Sequence, residues 1–191
     1  ISGAVLYNPF EGDGKTVAMA NNFTVTNSAG ITASFVDKCA GHPTPDIGAY
    51  HYHGMPELLV DFLGDNQGMT LVGWASDGFP VYARYGYSNT NDSNSTIKSL
   101  IPSYRLKSQP DSNRPMVLTS LAGGPGQGNT SPNTPIAMGA FTQDYEYVEG
   151  LGDLDQCNGR YGVTSEFPKG IYYYVVSDDF PFFTRCLKGN I

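Results

Sequence analysis

Residues 69–87, MTLVGWASDGFPVYARYGY, hold two runs rich in β-branched and aromatic residues on either side of Asp77-Gly78. Asp-Gly between two such runs is a strong short-range hairpin signal, because both residues tolerate the positive φ that a tight turn demands. The stretch therefore reads as strand, turn, strand. The same signature recurs outward in both directions. GAVLY (3–7), FTVTN (23–27), ITASFVD (31–37), AYHYHG (49–54), EYVEG (146–150) and GIYYYVVSD (170–178) are strand-sized and bounded by Gly, Pro, Asn or Asp. An apolar i, i+3, i+4, i+7 pattern never persists beyond about two turns. The best helical stretch is PELLVDFLG (56–64), with Pro56 suited to the first helical position and Gly64 to the end. Strands without long intervening helices imply a mainly β protein. The expectation is a single antiparallel β-sandwich or barrel-like domain over residues 1–191, with long irregular loops and little helix.

Composition narrows the function classes. The 191 residues carry a net charge of −7, and only 15% are charged, against a usual ~25%. An acidic chain lacks the basic surface that nucleic acid requires. No apolar run reaches the ~20 residues needed to span a bilayer as a helix. Gly 23, Pro 13 and abundant Asn, Ser and Thr suit a loop-rich extracellular protein, secreted or held at a cell surface. The chain opens on Ile1 and is read as a mature, processed product. Glycosylation sequons begin at Asn22, Asn91, Asn94 and Asn129. The polar segments 88–97 and 122–135 read as surface loops, and the basic stretch SYRLKSQPDSNRP (103–115) reads as a surface turn.

Three cysteines, Cys39, Cys157 and Cys186, are the disulfide candidates. Their odd number leaves one thiol over, and three pairings are open. The histidines also number three, and all fall within twelve residues: His42, His51 and His53. In a strand, i and i+2 share a face, so His51 and His53 point one way while Tyr50 and Tyr52 point the other. Gly48 and Gly54 permit turns at either end, and the loop carrying His42 can fold back to supply a third nitrogen. Neutral imidazole is a common ligand for Zn, Cu, Ni or Fe. Cys39 offers sulfur and Asp77 a carboxylate for the same shell. A hydrogen-bonded staple without metal is the alternative use of such a cluster. Asp153, Asp155 and Asn158 in GDLDQCNGR form an oxygen-rich loop with some calcium character, although it lacks the EF-hand spacing and closing Glu.

Other chemistries find little support. GWASDG is not a nucleophile elbow, since Ala75 precedes Ser76 and Asp77 follows it. No phosphate-cradling Gly-rich loop follows a strand, so no nucleotide cofactor is expected.

Several ordered motifs carry a family resemblance: CAGHPTPDIGAYHYHG, GWASDGFPVYARYG, SYRLKS, LDQCNGRYG and GIYYYVVSDDFPFFTRCLKG. Together they resemble the YHYH-domain family, from GAVLYNP near the start to Gly189. The resemblance implies a secreted or cell-surface protein with no settled activity. It also implies that Cys39, His42, His51, His53, Asp77, Asp155, Cys157 and Cys186 occupy motif positions. Similar proteins can carry a histidine where this chain has Tyr172, Tyr173 and Tyr174, so a shell that depends on it would be incomplete here. The sequence thus points to a glycosylated extracellular structural or binding module whose histidines staple it, with or without metal. The alternatives are a metal-dependent enzyme with an open site at the histidines and a metal-sequestering protein. Strand-forming, aromatic-rich segments near both termini lead us to expect self-association into homo-oligomers or homopolymeric fibres.

Overall fold

The computed structural model describes residues 2–12, 14–20, 36–44, 46–63, 68–114 and 136–191, together with the backbone of four short strands, Thr24–Thr26, Thr32–Ser34, Val117–Leu118 and Thr134–Pro135. The sequons at Asn22 and Asn129, the helix-ending role of Gly64 and most of the 122–135 segment lie outside the described residues. Fifteen strands, one α-helix and one 3-10 turn make up the described structure, arranged in six sheets of two to four strands. The protein is mainly β.

The hairpin read from the 69–87 stretch is present. Thr70–Trp74 pairs antiparallel with Pro80–Ala83, with a bulge between Leu71 and Gly73, and Gly78 adopts φ 85 in the connecting turn. The central strand is Ile171–Val176, which lies between Pro80–Ala83 and Gly159–Gly162. Its continuous apolar run follows from burial on both faces. Tyr174 and Val176 pack with Met55, Val60, Val72, Val81, Cys157 and Phe183. Tyr173 and Val175 point the other way, against Met69, Tyr82, Leu100 and Leu154.

Two details depart from the expected sandwich or barrel. Ile171–Val176 runs parallel to Pro80–Ala83, and Val5–Leu6 runs parallel to Tyr50–Tyr52. Parallel neighbours need long connections; the first pair is separated by most of the second half of the chain. None of the described sheets closes into a barrel. The helix is Glu57–Phe62, with Pro56 at the N-cap, one position outside that expected. Leu58 and Phe62 are exposed, and Val60 alone of the helical residues is buried.

The polar segment 88–97 forms the end of an antiparallel hairpin joining Tyr85–Tyr87 to Ile97–Ser99. Its own side chains hold it: Asn89 Oδ1 accepts from the Asn91 N–H, and Asp92 Oδ1 accepts from the Asn94 N–H. The basic stretch after Ser103 is only partly a surface turn. Arg105 and Lys107 pair with Glu146 and Asp111 near the surface, whereas Arg114 is buried against buried Asp144. Arg114 also donates to the carbonyls of Ile136 and Ala137. Burial alone would raise the Asp144 pKa; hydrogen bonds from Arg114, Phe141 and Gly139 outweigh it and hold the carboxyl below its ordinary value.

Cys157 and Cys186 form a disulfide across a separation of 29 residues, and Cys39 is a free, half-buried thiol. Closing a loop of that size stabilises by roughly 3 to 4 kcal/mol through loss of unfolded-state freedom.

Removing one partner of a buried ion pair leaves the other charge uncompensated, at a cost of about 3 to 5 kcal/mol. Arg114→Met is expected to lose stability on that scale in urea denaturation. Arg105→Met, which breaks the exposed pair with Glu146, is expected to change it by no more than about 1 kcal/mol. Equal effects would contradict the structural role assigned to Arg114.

Candidate metal centre

The site is built by a three-stranded sheet in which Tyr50–Tyr52 lies between Val5–Leu6 and Gly41–Pro43. His42 and His51 are direct cross-strand partners, and His53 follows His51 on the same face. Asp37 prepares the approach. Its Oδ1 accepts from the N–H groups of Cys39 and Gly41, while its Oδ2 accepts from the Tyr50 hydroxyl. Gly41 is needed for that packing, because a Cβ there would lie 2.5 Å from the Tyr50 hydroxyl and 2.7 Å from the His51 carbonyl oxygen.

The three imidazoles are buried, at 5%, 4% and 2% exposure for His42, His51 and His53. Each Nδ1 faces a backbone carbonyl: His42 on Pro43 at 3.0 Å, His51 on Ala49 at 3.2 Å and His53 on Asn8 at 2.9 Å. A carbonyl only accepts, so in each neutral ring the proton belongs on Nδ1 and the lone pair on Nε2. All three Nε2 atoms then converge. His53 Nε2 lies 3.0 Å from His51 Nε2 and 3.1 Å from His42 Nε2, and the ligand atoms of the set all fall within 4.8 Å of one another. Tetrahedral ligation at the usual Zn–N length would set such nitrogens roughly 3.3 Å apart. Three lone pairs facing one another repel unless a cation or a shared proton sits between them, and backbone carbonyls that orient ligating histidines are the usual outer support of a metal site.

Burial favours the neutral form of His53 and His42. It pushes the His53 pKa down to about 4, with the neighbouring His51 and His42 adding to the effect against the Asn8 carbonyl, which raises it. His42 is lowered too, chiefly by burial and against the pull of its hydrogen bond to Pro43. Around the cluster, the Tyr7 ring tilts over His51 at 4.3 Å, and a buried carboxylate oxygen of Glu11 approaches His42 Nε2 at 3.9 Å. Neither Tyr7 nor Glu11 stands out in the sequence. Both lie more than thirty residues before the second histidine, and only tertiary folding brings them near.

Other residues named from the sequence lie elsewhere. Asp77 does not join the histidines. Its carboxylate accepts from the Tyr174 hydroxyl at 2.6 Å and from the N–H groups of Gly189 at 2.9 Å and Lys188 at 3.2 Å, so it latches the C-terminal segment to the core. Burial would raise its pKa, but the hydrogen bonds from Tyr174, Gly189, Phe79 and Lys188 prevail and hold it below its ordinary value. Cys39 is not among the converging ligand atoms. The three calcium candidates each have partners within the protein. Asp153 pairs with Lys98, Asp155 pairs with Lys188 and accepts from Tyr172, and the Asn158 amide donates into the core to Val175 and Ser177.

A cavity of about 670 Å³ opens beside the site, between the N-terminal strand, the edge strand Thr70–Trp74 and the C-terminal segment. Leu6, Tyr52, Val72, Trp74, Phe183 and Leu187 contribute to a mostly apolar lining. Asn8 borders it too, so the residue that orients His53 also faces this space.

The family model described as YHYH protein matches residues 1–189. The chain belongs to the YHYH family. No curated protein and no solved structure matches it. The Tyr-His-Tyr-His motif of the chain is residues 50–53, so the motif supplies two of the three converging imidazoles and His42 on the paired strand supplies the third.

In protein kept free of metal, the unfolded chain takes up protons at histidine near pH 6.5, whereas folded His53 resists until about pH 4. The unfolded state binds more protons between those values, so stability is full above the window and declines as pH falls through it. Urea midpoints measured with a chelator present are expected to fall more steeply over that window in the native sequence than in His53→Gln. Identical slopes would show that His53 is not held neutral by the fold.

Proposed function

We propose that this chain is an extracellular, N-glycosylated structural and binding module whose three histidines hold one divalent metal ion as an internal staple. The observation that carries the reading is the convergence of three buried Nε2 atoms, each with its Nδ1 committed to a backbone carbonyl. That donor set suits Zn²⁺ or Cu²⁺. Burial of all three rings favours a closed, structural site over an open one with a coordination position for substrate. The metal would join the Gly41–Pro43 strand to the Tyr50–Tyr52 strand and the His53 that follows it, with the Asn8 carbonyl of the N-terminal segment behind His53. The neighbouring apolar cavity gives the module a place for a ligand that is separate from the ion.

Location and decoration draw on further observations. The Cys157–Cys186 disulfide favours an oxidising compartment. Among the described residues, no helix is long and apolar enough to cross a membrane. Asn91 and Asn94 are exposed at the end of the Tyr85–Ser99 hairpin, where a glycan covers no core. Self-association has support at the edges of the four-stranded sheet: Trp74 on one edge strand and Tyr161 on the other are exposed at 59% and 63%. Unpaired strand edges carrying aromatic side chains are adhesive, and pairing between copies that does not close produces filaments.

Elemental analysis of protein purified from its native source is expected to find a single divalent ion per chain. After stripping, adding Zn²⁺ or Cu²⁺ at a hundredfold excess over its Kd is expected to raise stability by ~2.7 kcal/mol. His53→Ala is expected to abolish that gain. A native protein free of metal, with no stabilisation by either ion, would sink the staple. Light scattering of the same material is expected to find species larger than the monomer, and a monodisperse monomer at high concentration would remove the filament part of the proposal.

A further inference from the structure

We infer that Glu11 is the fourth ligand of the histidine site, closing a three-imidazole, one-carboxylate shell around a divalent ion of the Zn²⁺ type. The inference rests on the metal reading of the histidines given above. Glu11 and the three histidines are all buried, and its Oε1 lies 3.9 Å from His42 Nε2. Two ligands on one tetrahedral ion sit roughly 3.3 Å apart, so the glutamate arm has to turn toward His42 for its oxygen to enter the shell.

The backbone around Glu11 fixes where that arm starts. Its N–H donates to the Thr16 carbonyl and its own carbonyl accepts from Gly14, in a tight turn flanked by the Phe10–Val17 bridge. Thr16 bridges in turn to Phe141. The side chain therefore projects from an anchored turn.

Electrostatics sets the ion class. Three neutral imidazoles alone would leave a buried dication with its full charge in a low-dielectric interior, which is costly. One carboxylate halves that charge. The resulting nitrogen and oxygen set disfavours soft Cu(I), which prefers sulfur, and suits Zn²⁺ or Co²⁺. The shell would then tie three segments together: the turn at Glu11, the strand carrying His42 and the strand carrying His51 and His53. Asn8, on the same N-terminal stretch as Glu11, already orients His53 from behind.

The test uses the full chain stripped of metal and titrated with Co²⁺ and with Zn²⁺. In the native sequence, Co²⁺ is expected to give the intense visible bands of a four-coordinate ion, and Glu11→Gln is expected to weaken binding at least tenfold and to shift those bands. Glu57→Gln, which alters a carboxylate paired with Arg84 outside the site, is expected to bind as the native sequence does. Infrared difference spectra of the native protein with and without Zn²⁺ are expected to show a carboxylate stretch moving on metal binding, a readout that does not require the variant to fold. Unchanged affinity and bands in Glu11→Gln, or a native infrared difference without a carboxylate signal, would overturn the assignment of Glu11 and leave the three-histidine site standing. Absence of Co²⁺ and Zn²⁺ binding by the native chain would overturn both.

Discussion

The burial of Ile171–Val176 on both faces is the constraint around which the rest of the molecule is arranged. A strand in that position needs a neighbour on each side for its backbone and a packed layer above and below for its side chains. Gly159–Gly162 and Pro80–Ala83 supply the neighbours, and two groups of apolar residues supply the layers. Tyrosine at three successive positions suits the role, because each ring fills a large volume while its hydroxyl reaches a polar partner. Tyr172 donates to Asp155, Tyr173 meets Arg160 and Tyr174 donates to Asp77.

Those hydroxyl contacts link the core to the chain's later turns. The Asp77 carboxylate, held by Tyr174, also receives the backbone of Lys188 and Gly189. Three residues before Lys188 in the chain, Arg185 lies over the rings of Tyr104 and Phe180, and Cys186 is bonded to Cys157 inside the same apolar layer. The C-terminal segment is therefore fastened by a covalent bond, a charged latch and aromatic contacts, all referred to one strand. Leu6, from the three-stranded sheet, packs against that layer as well, and through it the histidine strands are positioned relative to the core.

The histidine site follows a different logic from the core. Its members are polar, and their burial is tolerated because each Nδ1 has a carbonyl partner. The cost left over lies with the three Nε2 atoms, which face one another. A cation would convert that repulsion into binding energy, and it would do so at the join between the N-terminal segment and the two following strands. Covalent cross-linking at one end of the chain and a metal staple at the other would leave a protein of modest core size resistant to unfolding.

By itself the sequence determined the class and the face of the motif. Period-two alternation at Tyr50–His53 puts both imidazoles on one side of a strand for any fold in which that strand forms, and Asp77-Gly78 specifies its hairpin through local turn chemistry. Eight strand segments were legible for the same local reason. Gly41–Pro43 and Gly159–Gly162 were not, since glycine and proline carry no strand signal and only their partners hold them extended. Tertiary structure alone decided the rest. The parallel pairing of Ile171–Val176 with Pro80–Ala83 depends on a connection of most of the second half of the chain. Asp77 looked like a ligand by residue type, yet the fold points it at Tyr174 and the C-terminal backbone; Arg114 looked like a surface charge, yet Asp144 draws it inside. Glu11 and Tyr7 reach the histidines only because the N-terminal strand pairs with Tyr50–Tyr52. Spacing in the chain reports which side chains share a face, whereas contact between distant segments is set by packing, which no local pattern encodes.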